Sequence, residues 1–109
     1  MRAVDLAVYA DVLAARASVL AAQLERTRAG VREAAIERRA RAALEPATVE
    51  RLERLGIVSR ADERAQRADA AHLAADLAAV ETLQGWVEAR LFEAREHEGS
   101  ELGETRSAA

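Results

Sequence analysis

Apolar residues recur along the first part of the chain at alternating spacings of four and three: Leu6, Ala10, Leu13, Ala17, Leu20, Leu24, then Thr27, Val31 and Ala34. This is a heptad seam, with leucine at one core position and mainly alanine at the other. It predicts a helix over about 4–44. Pro46 ends that helix, because proline pushes the preceding Glu45 out of helical geometry. A short helix over about 47–55 follows, with Val49, Leu52 and Leu55 on one side, and Gly56 suits its left-handed C-terminal cap. The last helix is expected over about 60–97. Ser59 can cap its free N–H groups, and Asp62 and Glu63 complement the positive end of its dipole. Its seam reads Leu73, Leu77, Val80, Val87 and Leu91.

The period stops before Gly99, and the polar, glycine-containing stretch 98–109 is expected to be a disordered tail. Residues 1–97 therefore form one all-α domain. Its two long helices have matching lengths of roughly 55–65 Å and a short connection. The simplest packing is a long antiparallel helical hairpin with the short third helix at its tip.

Each long helix also carries apolar residues off its seam. On the first they are Val8, Val12, Ala15, Val19, Ala22, Ala29 and Ile36; on the last, Ala68, Ala71, Ala75, Ala79, Leu83 and Trp86. A two-helix hairpin buries one stripe per helix, so the second is left for something else. Two hairpins dimerising into a four-helix bundle would bury both. A homodimer is thus the favoured state, with another protein chain as the alternative partner. Val8, Val12, Leu13, Val19, Leu20, Leu77, Leu83 and Trp86 are the expected interface. Tyr9 is expected at the open end with Leu91 and Phe92.

Composition narrows the chemistry. There is no cysteine in the 109 residues, which excludes disulfides and thiolate metal sites. No signal-peptide pattern opens the chain, and Asp5, Asp11 and Arg16 interrupt its most apolar stretch, so no membrane span is expected. Cytoplasmic localisation is the default expectation. All 16 basic residues are arginine, and the formal net charge is −3. The arginines crowd into the middle of the chain, while the C-terminal part is acidic.

Asp69, His72 and Asp76, spaced by three and four, share a helix face and are the candidate metal ligands, with Glu33 and Glu37 expected across from them. The set resembles the carboxylate-and-histidine di-iron bundles in broad concept, but their Glu-x-x-His pair occurs in neither long helix. Arg38, Arg39 and Arg41 are the candidate anion-binding residues at the tip. Nucleic-acid binding through this arginine-rich tip is an alternative function, and a disfavoured one. The overall charge is acidic, no aromatic residue lies near for stacking, and Glu33, Glu37, Glu45, Glu50 and Glu53 interleave with the arginines.

The order of long, short and long helices, with Arg28, Arg39, Arg51 and Gln84, resembles the helical chorismate mutases, which are dimers with arginine-rich pockets. That resemblance implies a small helical enzyme binding a di-acid at these arginines. The lysine usual in such pockets is missing. Glu45-Pro46 followed by Val49-Glu50-Arg51 also departs from the family's Asp-Pro-x-Arg-Glu stretch. No Ser–His–Asp set and no glycine-rich phosphate loop is recognisable, and no cofactor is implied. The residues therefore predict a non-enzymatic interaction module built on helical packing.

Overall fold

A computed structural model describes residues 2–57 and 63–108 of the chain, with side chains described as far as residue 100. It contains α1 (Ala3–Ala42), α2 (Pro46–Arg54) and α3 (Glu63–Ala108), and no strand among the described residues. The long helices α1 and α3 pack against each other as a helical hairpin.

The ends of the helices follow from local chemistry. Asp5 lies in the first turn of α1, and Arg39 and Arg41 lie in its last turn, so charge complements the helix dipole at both ends. The last turn tightens. Ala43 N–H donates to the Ala40 carbonyl at 3.2 Å, and Leu44 N–H donates to that of Arg41 at 3.1 Å, which satisfies carbonyls that have no α-helical partner. Glu45 then turns extended, at φ −67° and ψ 143°, as the following proline requires. Its carbonyl accepts from Thr48 N–H at 3.0 Å and Val49 N–H at 3.1 Å, which starts α2 with Pro46 in its first turn.

Two nested bonds close α2. Ile57 N–H donates to the Leu52 carbonyl at 3.0 Å, and Gly56 N–H donates to that of Glu53 at 3.1 Å. Gly56 sits at φ +70°. This is a Schellman motif, with glycine in the left-handed position where a Cβ would be strained. Val49 and Leu52 are half-buried on the expected side of α2, but Leu55, the cap residue itself, is 71% exposed.

The expected cap of α3 at Ser59, together with Asp62, lies outside the described residues; Glu63 does stand in the first turn. At its other end α3 continues past the expected boundary at 97 and stays helical to Ala108. Gly99 costs about 1 kcal/mol relative to alanine inside a helix. A glycine ends a helix by turning left-handed, and among the described residues only Gly56 does so.

The chain divides into two compact units, Met1–Leu20 with Ala75–Ala109, and Ala21–Ala74. In the first, Ala3, Leu6, Leu20 and Val87 are buried, all of them seam positions or in register with the seam. The N–H of Ala3 donates to Glu98 Oε1 at 3.1 Å, so a carboxylate from α3 caps the start of α1. In the second unit Leu24 and Ala34 form the buried core. There Glu63 of α3 receives Arg38 of α1 at 2.9 Å and Arg67 at 2.7 Å.

Leu20, only 2% exposed, should be the most sensitive core position. Leu20→Ala is expected to cost about 2–5 kcal/mol, read by urea unfolding followed by helical circular dichroism. Gly56→Ala should cost about 1 kcal/mol in the same measurement, because the turn needs its left-handed backbone.

Candidate functional site

In the unit formed by residues 1–20 and 75–109, the edge of the seam opens into an apolar groove of about 310 Å3. It is lined by Leu6, Tyr9, Val12 and Leu13 of α1 and by Leu83, Trp86 and Val87 of α3. Helical spacing explains the set: steps of three, four and seven keep these residues on one side of each helix. Leu6 and Val87 are buried and Leu13 is half-buried, so they form the floor. Tyr9, Val12, Leu83 and Trp86 form the walls, each between 54% and 59% exposed.

A more polar cleft of about 380 Å3 adjoins the groove and shares Leu6 and Trp86 with it, adding Arg90, Glu93, Ala94 and His97. The Arg90 guanidinium lies 5.3 Å from the centroid of the Trp86 ring, within cation–π range. It also stands 3.7 Å from Glu93 Oε2. A charged rim therefore borders the apolar walls on the side of α3.

Of the expected interface residues, the structure brings Val12, Leu13, Leu83 and Trp86 to this groove. Val19, one heptad beyond Val12, is exposed on the same stripe of α1. Val8 is exposed too; it stands one helical turn before Val12, roughly 40° from it around α1, and continues the stripe of Val12 and Val19 although it does not line the groove. Leu20 needs correction. It lies two heptads after Leu6 and is buried within the chain, so a partner cannot reach it. Leu77 is a half-buried seam residue.

Tyr9, expected toward the same open end as Leu91 and Phe92, lies in one compact unit with them and lines the groove with Leu83 and Trp86. Phe92 is six residues from Trp86 and occupies another side of α3. The signal that could have placed Tyr9 is its spacing of three from both Leu6 and Val12.

Asp69, His72 and Asp76 are exposed. Asp69 and His72 line a cleft of about 400 Å3 with Gln23, Arg26, Thr27 and Leu73. An arginine is thus the charged neighbour from α1, where Glu33 or Glu37 was expected, and its charge opposes a cation. Glu33 is exposed, and Glu37 is engaged by Arg41 at 3.5 Å. No group of three or more His, Asp or Glu side chains able to hold a metal occurs among the described residues.

The candidate anion-binding arginines are not gathered into one site. Arg38 pairs with Glu63, and with Arg64 and Arg67 the two line a shallow cleft of about 400 Å3. Arg41 pairs with Glu37, while Arg39 is exposed. Arg32 with Glu25 and Arg54 with Glu50 add further surface ion pairs, at 3.3 Å and 3.7 Å. Arg28 and Arg51 are exposed in the unit 21–74, whereas Gln84 is half-buried in the other unit. No helix among the described residues is long and apolar enough to cross a membrane.

Comparison of the chain with family models, curated proteins and solved structures returns no match. Among the described residues, the apolar groove is the most distinctive feature of the surface.

Glu63 is the best-placed carboxylate of the second unit. Its side chain is 19% exposed, and it takes one arginine on each oxygen. Glu63→Gln is expected to destabilise the fold by about 1 kcal/mol at low salt, and by less in 1 M salt, as measured by thermal unfolding.

Proposed function

We propose that the protein is a non-enzymatic protein–protein interaction module. It is a helical hairpin that pairs with a second copy of itself through the groove face and serves as a scaffold, adaptor or small assembly subunit. The observation that carries this reading is the set of four large apolar side chains, Tyr9, Val12, Leu83 and Trp86, held more than half exposed around one apolar groove.

Fully burying a side chain of this kind stabilises by about 1.5–3 kcal/mol, and these four have roughly half of that still to gain. Val19 extends the same stripe along α1. The gain must exceed the entropy lost on association, so pairing needs the whole face, not the groove alone. A four-helix bundle supplies such a contact. The arginines of the other unit lend no comparable support to an enzymatic or nucleic-acid reading, because they are not gathered into one site and Arg32, Arg38, Arg41, Arg54 and Arg67 are matched locally by carboxylates.

Light scattering on a sizing column should give the mass of a dimer at micromolar concentration. Val12→Glu combined with Val19→Glu should give a monomer of unchanged helicity, since both positions are exposed in the single chain. The emission of Trp86, the only tryptophan, should shift to the red in that variant. A wild-type chain that stays monomeric over the full concentration range would remove the proposal.

A further inference from the structure

The groove face of α3 is written in two heptad series. One runs Asp76, Leu83, Arg90, His97, and the other Ala79, Trp86, Glu93. Leu83 and Trp86 line the groove, and Trp86, Arg90, Glu93 and His97 line the adjoining cleft. Both series therefore share one side of the helix.

Turned end for end about Leu83, this stripe complements itself. Asp76 stands seven residues before Leu83 and Arg90 seven after it; Ala79 stands four before and Trp86 three after. An antiparallel second copy of α3 would place acid on base twice. It would set each indole over an alanine, where there is room for it, and lay Leu83 on its own counterpart. In sequence alone the relation continues: Glu93 and His72 stand ten after and eleven before, and His97 and Asp69 fourteen after and fourteen before. A parallel pairing of α3 with α3 would instead stack Asp76 on Asp76 and Arg90 on Arg90, a like-charge juxtaposition that opposes docking.

From this we infer that the occupant of the groove face is a second copy of the chain. The two copies join by an isologous, antiparallel two-fold contact of α3 with α3, with Leu83 on the axis and Arg90 paired with Asp76 of the second copy. This rests on the self-association proposed above and adds its geometry. An isologous contact requires each patch to fit itself, and the order of charge, small residue and large residue along α3 meets that requirement. The balance of charge along the stripe also argues for a second copy over a strongly basic or acidic partner, which would leave half of these charges opposed.

The absence of cysteine makes a clean test available. Leu83→Cys, mildly oxidised, should form a disulfide-linked dimer, because a residue on a two-fold axis meets its own copy within bonding distance. Val4→Cys, exposed but off the groove face, should stay unlinked. Asp76→Arg and Arg90→Asp should each weaken dimerisation at least about tenfold, and the double reversal should restore it. If a reversal costs helicity, Asp76→Asn with Arg90→Gln reads the same contact through its lost salt dependence. A wild-type dimer that shows neither cross-link nor rescue, or only one of them, overturns the antiparallel arrangement and leaves self-association standing. A wild-type monomer overturns both.

Discussion

The structure depends on the leucine–alanine seam between α1 and α3. Hydrophobic burial along that seam is what holds two helices together when one Phe, one Trp and one Tyr are all the aromatic residues the chain contains. Leu6, Leu20 and Leu24 supply the buried bulk, and the alanines at alternate positions let the helix backbones come close. Since a seam of leucine and alanine uses small volumes, it leaves little depth of core. Only six residues are buried among those described. The rest of the apolar content has to lie on the surface, and where it gathers decides what the surface is for.

Around that seam the chain is punctuated by a few residues that act locally. Pro46 forces the break that separates α1 from α2, and Gly56 supplies the left-handed step that closes α2. Of the arginines that crowd this middle region, Arg32, Arg38, Arg41, Arg54 and Arg67 pair with nearby carboxylates. Glu63 alone engages two of them. Exposed pairs of this kind contribute little stability.

The other unit combines apolar side chains with charges in a different way. On the groove face of α3, large, small and charged side chains alternate along one stripe, and Arg90 lies over the Trp86 ring at the edge of the apolar walls. Apolar area at the centre with charges at the rim is the usual anatomy of a protein interface, where the centre supplies affinity and the rim sets orientation. Here the charges at the rim come from α3, and the apolar walls come from Tyr9 and Val12 of α1 together with Leu83 and Trp86 of α3.

Much of this was legible in the sequence. The spacing of Leu6, Leu13, Leu20 and Leu24 determined the helix and its buried side, since a 3.6-residue period leaves few other ways to hide those side chains. Pro46 and Gly56 determined the breaks, because proline fixes φ and lacks an N–H, while glycine takes up a left-handed backbone without strain. The sequence also showed that apolar residues remained after the seam was filled. It did not decide which of them gather. Val8 and Val12 read alike as off-seam valines, and Leu20 read equally as core or interface. Packing of α1 on α3 separated them, burying Leu20, bringing Val12 but not Val8 to the groove, and setting Tyr9 with Trp86 in a groove whose walls come from both helices. The same packing set Arg26, not a glutamate, beside His72. Periodicity fixes a residue's angle on its own helix. Its neighbours on the other helix depend on axial register, which is a property of the packed pair and is written in neither helix alone.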